Sequence, residues 1–500
     1  MAIEAAEVSI VPTVFASDAC SVYPAVKAAF PRRCPRRAVI MNLDTLSCIQ
    51  SFLDRPTLVT SMLTCSDLYA SGVRSLLQFD IILRCDASIR SFSAFLNRDR
   101  RTRLYLLRNF SLNFCETTAF FNTVKALLID ILTHSLRLEK LRLGGCISSL
   151  GDDNDVVARI TALQHLRELH IHVSRDNAPS LLSDLQAPVE KLDIHVLDDL
   201  GDPWEAMPMV TRFSSSLEEL CLSALVTLTS IRSSAVFPKM RRLSLNGAYF
   251  RHVGPLVAAF PNLDELYVAY AHLHTNEIED ARAANQHAQK IARWRRLDDL
   301  SGVLRALYVA AITSDVYRMS IQLVDCLESD VHRLSIVLVS ARPRVLHLDF
   351  LLRVVHSLPA MIPPSERLIH LRLSINMAAC TPDTSSGAIL DGLYELVRQQ
   401  TKLEHLFLRV FCCEWSTSDQ EAYNERIIPF RGMVAHEIVQ AFAVAVPSLR
   451  QILVLIEPNA TLLSPDGNTM QASDRFAWTV DLDGSVRTEF EVGSQAMSTV

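Results

Sequence analysis

The stretch Leu166-Arg-Glu-Leu-His-Ile171 carries the pattern that decides the fold of this 500-residue chain. Its apolar residues follow the form Leu-x-x-Leu-x-Leu, and the last two alternate with polar residues, as in a short strand with one buried face. The same form recurs in both directions, and neighbouring units around this stretch begin 23 or 28 residues apart. The units begin at Leu138, Leu166, Val189, Leu217, Met240 and Leu263, then more widely spaced at Leu304, Val331, Leu368, Leu403 and Leu449.

This spacing falls within the range of about 20 to 29 residues that is typical of leucine-rich repeats. Each unit supplies one strand, followed by a helix that covers one face of that strand. A hydrophobic core is completed only when neighbouring units stack on each other. The sequence therefore predicts an α/β solenoid, an irregular leucine-rich-repeat horseshoe, over residues 79–460. Apolar and polar residues alternate around Asp483-Gly484, which predicts a β-hairpin within a C-terminal cap and tail at 461–500.

The N-terminal part of the chain has a different pattern. Residues 1–38 show no regular period, which predicts a disordered lead segment. Residues 39–78 show apolar residues at steps of three and four, which predicts a small all-α module of short helices. Pro56 is expected to break the first helix, and Thr57 is expected to cap the next.

The segment from Met41 to Tyr69 resembles an F-box. Phe52-Leu53, Leu58, Cys65 and Leu68 stand where that family has its characteristic apolar and cysteine positions. The sequence departs from the family pattern in two places, because Asp44 follows Leu43 where proline is usual and no tryptophan follows Cys65. With the repeats that follow, most of the chain resembles the F-box/leucine-rich-repeat proteins, in the variable style of mushroom-forming fungi.

That resemblance implies a substrate-recognition subunit of an SCF (cullin-RING) ubiquitin ligase. Its helical module would bind a Skp-type adaptor and its repeats would bind a protein substrate, still unknown, with no catalytic residues and no cofactor of its own. The alternative is a leucine-rich-repeat scaffold that binds proteins without any ligase role. The residues expected to form the helices and the adaptor surface are Leu43, Leu46, Ile49, Phe52, Leu53, Leu58, Met62 and Leu68.

A substrate surface is expected on the concave strand face, where residues between the buried leucines point outward. Arginine and aromatic side chains there suit protein recognition, because they supply most of the binding energy in protein interfaces. A solvated strand face with no partner would also carry polar residues. The residues predicted for substrate binding are Arg142, His170, Asp193, Arg242, Tyr267, Tyr308, Arg372 and Phe407.

Composition argues against several other functions. The net charge of -6 gives no general attraction to nucleic acid or an anionic membrane, and no apolar run is long enough for a membrane span. The 12 cysteines form no Cys-x-x-Cys pair, and no hydrolase, phosphate-loop or dinucleotide motif is present. We therefore expect a non-enzymatic protein that lies in the cytoplasm, the nucleus or both.

One cluster could carry metal chemistry. His170 and His172 lie two residues apart on one strand face, and the next repeat places Asp193 and His195 at equivalent positions. The simpler interpretation is a polar binding surface rich in histidine, so no metal is expected. An enzyme would need this cluster to be a true metal site.

Overall fold

A computed structural model describes the chain in two compact units, an N-terminal unit (residues 1–201 and 209–220) and a C-terminal unit (202–208 and 221–500). The residues described are 48–50, 52–114, 121–145, 153–196, 204–205, 207–223, 226–227, 235–247, 252–269, 275–323, 328–351, 358–376, 386–411, 435–457, 477–480 and 486–489. The predicted lead segment 1–38, Leu43, Leu46 and the turn at Asp483-Gly484 lie outside them.

The N-terminal unit alternates helices with parallel strands. Its helices are α1 (Arg55–Met62), α2 (Ser66–Leu76), α3 (Asp86–Asn97), α4 (Arg100–Leu106), α5 (Phe121–His134), α6 (Asn154–Thr161) and α7 (Asn177–Asp184). Its strands are β1 (Ile81–Leu83), β2 (Asn109–Phe114), β3 (Lys140–Gly145), β4 (Glu168–Val173) and β5 (Lys191–Val196). Each strand pairs in parallel with the next in sequence.

Short elements lie around the division between the units. They are β6 (Trp204–Glu205), α8 (Met207–Val210), a 3-10 turn (Thr211–Phe213), β7 (Glu219–Ser223) and β8 (Val226–Thr227). The strand β7 runs parallel like the longer strands, whereas β6 and β8 pair with each other.

The C-terminal unit repeats the same alternation. Its helices are α9 (Gly254–Ala259), α10 (Ile278–Ile291), α11 (Leu304–Ala310), α12 (Glu328–Ala341), α13 (Leu358–Met361), α14 (Ser386–Arg398) and α15 (Ala435–Ala445), with a 3-10 turn at Thr275–Glu277. Its strands are β9 (Arg242–Asn246), β10 (Glu265–Val268), β11 (Arg296–Val303), β12 (Asp315–Leu323), β13 (Val345–Leu351), β14 (His370–Asn376), β15 (His405–Phe411) and β16 (Gln451–Glu457). They pair in parallel in sequence order. The predicted hairpin strands, β17 (Ala477–Val480) and β18 (Val486–Glu489), pair antiparallel.

The alternation of side chains explains the layers. In β4, Leu169, Ile171 and Val173 are buried, whereas the residues between them are half-buried. Successive residues of a strand point to opposite faces, so the leucines face the helices and the polar residues form an open face of the sheet. In both units consecutive helices pack against each other over the buried face. The predicted α/β class is confirmed, and within each unit the described first and last parallel strands do not pair, so neither sheet closes.

Most predicted units coincide with strands, but two do not. The units at Leu304 and Val331 form the helices α11 and α12. The strands in this part of the sheet are β11, β12 and β13. Of these, β11 and β12 are rich in polar residues and lack the leucine pattern. Tyr308 therefore lies on a helix with 5% exposure, and its predicted place on the strand face is wrong. No helix in the described residues is long and apolar enough to cross a bilayer.

Candidate functional site

The start of α1 fixes the geometry of the N-terminal helices. Asp54 is the N-cap, because its carboxylate accepts a hydrogen bond of 3.1 Å from the backbone N–H of Thr57. The Thr57 side chain and then this backbone hydrogen bond lower the pKa of Asp54. Pro56 lies in the first turn, where its missing N–H costs nothing. The prediction that Thr57 is the cap is wrong; Thr57 supplies the N–H instead.

The interior of this module (residues 48–50 and 52–80, the helical module) is built around α1 and α2. Leu58 is fully buried and Met62 is 7% exposed. A Cβ at Gly72 would meet the Met62 side chain, so a glycine lets the two helices approach closely. Gln50 is buried and donates to Ser61 Oγ (3.2 Å) and the Leu68 carbonyl (3.0 Å), which ties the preceding segment to both helices.

Large apolar side chains on the same module face solvent. Phe52 is 84% exposed, Leu63 is 75% exposed and Ile49 is 43% exposed. Leu53 and Leu68 are half-buried. The described members of the predicted set thus range from buried to exposed, a distinction that helical spacing alone does not make. The sequence missed Leu63, because it directly follows Met62 and lies off the apolar stripe of α1.

On the open face of the N-terminal unit, charges pair across neighbouring strands. Lys140 Nζ lies 3.1 Å from Asp80 and 3.5 Å from Glu168. Lys191 Nζ lies 2.8 Å from Glu219. Arg142, a predicted substrate residue, is half-exposed and 3.8 Å from Glu168. Pairs of this exposure contribute little stability, so these groups can exchange partners at low cost.

The predicted histidine cluster is formed by β4 and β5, whose register places His170 opposite Asp193 and His172 opposite His195. His170 Nδ1 is 2.5 Å from Asp193 Oδ2. His195 Nε2 is 3.2 Å from Asp193 Oδ1, within the distance of an ionic contact. The rings of His172 and His195 stack with centroids 4.5 Å apart. The prediction that these four residues lie together on one strand face is confirmed.

Electrostatics in the cluster shift the pKa values of Asp193 and His172. Although burial raises the pKa of Asp193, the hydrogen bond from His170 and the proximity of His195 hold that pKa well below its usual range. Burial lowers the pKa of His172 to about 4, with further lowering by His195 and His170. Asp193 is therefore ionised and His172 neutral at pH 7.

The C-terminal unit presents arginine and aromatic residues on its open face. The register aligns His347, Arg372 and Phe407 across β13, β14 and β15. The Arg372 guanidinium lies 4.6 Å from the centre of the Phe407 ring, and Arg409 lies 4.7 Å from the ring of Phe411. Such pairs combine a cation with a flat apolar surface.

Other groups on this face modify its charge. Burial lowers the pKa of His347 to about 4, and the positive charges of Arg372 and Arg318 lower it further. Arg242 pairs with Glu265 at 3.2 Å, and Tyr267 is half-buried on β10. The placement of these predicted residues on strands agrees with the structure, while their role in substrate binding stays a prediction.

The sequence missed charged groups on β11 and β12. Arg318 lies 3.7 Å from Asp299, whose pKa is raised mainly by burial. No leucine unit was recognised in these two strands, and their pairing with β10 and β13 shows which residues share the open face.

Comparisons with protein-family models and with curated proteins gave no match to this chain.

Proposed function

We propose that this protein is a substrate-recognition subunit of an SCF ubiquitin ligase, with an F-box-like helical module and irregular leucine-rich repeats. The module binds a Skp-type adaptor of the cullin-RING ligase, and the repeats bind a protein substrate. The observation that carries the proposal is the exposure of Phe52, at 84%, beside a well-formed core.

The energetics of the helical module favour a partner at this surface. Covering a large apolar side chain contributes about 1.5 to 3 kcal/mol. Phe52, Leu63 and Ile49 lie outside the core that Leu58 and Met62 fill, so they add nothing comparable to the stability of the isolated chain. A partner that covered them would gain that free energy without disturbing the module.

The open face supports the second half of the proposal. Arginine and aromatic residues such as Arg372 and Phe407 are enriched where proteins bind each other. Because the face is made of strands that are fixed by parallel pairing, the backbone that carries its side chains is in place before a substrate arrives. The ubiquitin chemistry would come from the assembled ligase, which leaves this chain with a binding role.

The test is binding of the full chain to a purified Skp-type adaptor, measured by calorimetry. We expect Phe52→Asp to weaken binding by about 10- to 100-fold, since roughly 1.5 to 3 kcal/mol of apolar burial is lost. Phe52 makes no core contact to lose, so folding should be unaffected. Leu58→Asp would be a poor test because it places a charge in the core.

A matched control is Val444→Asp on α15, where valine is 83% exposed. It introduces the same charge at an equally exposed apolar position and should leave adaptor binding unchanged. If the intact chain does not bind the adaptor, a leucine-rich-repeat scaffold without a ligase role becomes the better explanation. Equal weakening by both substitutions would refute the contact at Phe52.

A further inference from the structure

The histidine cluster on β4 and β5 has the donor set of a transition-metal site. One ligand nitrogen from each of His170, His172 and His195 lies within 4.8 Å of the other two. In a tetrahedral complex with bonds of about 2.0 to 2.1 Å, such nitrogens lie about 3.4 Å apart. Small side-chain rotations, with no change of backbone, would close that gap.

Asp193 contacts one nitrogen of two of these rings and so leaves the other nitrogen of each ring for a metal. An ionised carboxylate only accepts hydrogen bonds, so His170 donates through Nδ1, and Nε2 is the nitrogen that can bind a metal. His195 holds Nε2 3.2 Å from the same carboxylate, so Nδ1 is the nitrogen that lies away from Asp193 and can face a metal. A carboxylate behind a ligating histidine is the usual outer partner of protein metal sites, because it fixes the tautomer and the ring orientation.

The surroundings leave room at the cluster. Gly144 lies beside it, and a Cβ there would stand 3.5 Å from His170 Nε2. Glycine thus keeps the free nitrogen of His170 uncovered. The histidine and aspartate side chains are about a third exposed, so an ion has access from the open face.

We propose that His170, His172 and His195 bind one divalent transition-metal ion, with Asp193 as the residue that positions two of them. Three imidazole donors and an open fourth position suit Zn²⁺, and Co²⁺ would bind in the same way. The site does not depend on the ligase role, since it involves neither the helical module nor an adaptor.

The test uses the full chain without an affinity tag, stripped of metal by a chelator that is then removed. Calorimetry with Zn²⁺ should give one ion per chain with micromolar or tighter affinity, and Co²⁺ should give the visible absorption of a tetrahedral complex. We expect His195→Gln to weaken Zn²⁺ binding at least 10-fold, and Asp193→Asn to weaken it about 10- to 100-fold. Gly144→Val leaves the three histidines and Asp193 unchanged, and it should weaken binding because the valine side chain would crowd His170 Nε2.

The control is the double substitution His370→Gln with His405→Gln. These two rings also stack on neighbouring strands, at 4.2 Å, but within the described residues they belong to no group of three side chains close enough to bind one metal ion. Zn²⁺ binding should be unchanged in this variant, with circular dichroism showing that every variant is folded. The proposal is overturned if the stripped chain shows no saturable binding below about 100 μM Zn²⁺. It is equally overturned if the control loses as much affinity as His195→Gln.

Discussion

Gly302 is a position where the backbone allows only glycine. Its φ of +153° is rarely adopted by other residues. A Cβ there would meet the carbonyl oxygen of Val268 and would stand 2.8 Å from the carbonyl carbon of the same residue. Val268 is its partner in the pairing of β10 and β11, so neither strand can move away without losing the ladder. We expect Gly302→Ala to destabilise the C-terminal unit by about 1 to 3 kcal/mol, measured by urea unfolding.

Gly387 provides the control for that prediction. It lies exposed in the first turn of α14, and a Cβ there would have no atom within 4 Å. Gly387→Ala should be neutral or should stabilise the chain by up to about 1 kcal/mol, because alanine favours a helix. If both substitutions destabilise equally, the close approach at Gly302 is not what constrains that position.

For single residues, strand alternation was enough to place His170 and Asp193 on one face, because the period of two is the same in every repeat. It failed at Tyr308. There the segment is buried on nearly all sides, so its apolar spacing fits a helix as well as a strand. The hydrogen bond from Tyr308 to Glu279 depends on a contact 29 residues away, which no local pattern contains.

The helix α10 shows how buried polar side chains hold one element against another. Gln289 is 3% exposed and donates to the carbonyls of Ala310 (2.8 Å) and Ala311 (2.7 Å). It also accepts a hydrogen bond of 3.0 Å from the N–H of Thr313. Ala311 ends α11 in a left-handed conformation. One side chain therefore satisfies the backbone groups that the end of α11 leaves unpaired.

Replacing Gln289 should be costly for this reason. Gln289→Leu keeps a similar volume but leaves buried backbone groups unsatisfied, at about 1 to 3 kcal/mol each. We expect a loss of at least about 2 kcal/mol in the free energy of unfolding, measured with urea. The matched control, Gln286→Leu, lies exposed on the same helix and should change stability by less than about 0.5 kcal/mol. A similar loss in both would mean that leucine disturbs α10 itself.

For whole elements, the repeat units predicted the strands β3, β4, β5, β7, β9 and β10 and again β14 to β16, but not β1, β2 or β13. The prediction also missed β11, where Asp298-Asp299 interrupts the apolar alternation, and β12, where Val316, Met319 and Ile321 have the spacing of the repeat but no leucine marks it. Those strands form because β10 and β13 offer parallel partners on either side. Such tertiary pairing overrides local propensity, and a single sequence does not display it.

Across the molecule, exposed charged side chains and exposed apolar side chains lie in different surroundings. Many charges on the open faces already contact each other across strands, as Lys191 does with Glu219 and Arg242 with Glu265. Phe52 and Leu63, by contrast, remain uncovered by the chain that surrounds them. Leucine spacing predicted the module's helices but not this exposure, because burial depends on how Leu58, Met62 and Gly72 pack in three dimensions.

Hydrogen exchange of the full chain with and without a Skp-type adaptor would test this distribution. Binding stabilises local structure where the partner covers it, so we expect slower exchange in residues 52–76 and no change in β13, β14 and β15. The slowing should disappear with Phe52→Asp and persist with Val444→Asp, because only the first removes the apolar contact. If the adaptor instead slowed exchange in β13–β15 and left the helical module unaffected, the open face would be the adaptor surface. The proposal that the helical module binds the adaptor and the open face binds the substrate would then be wrong.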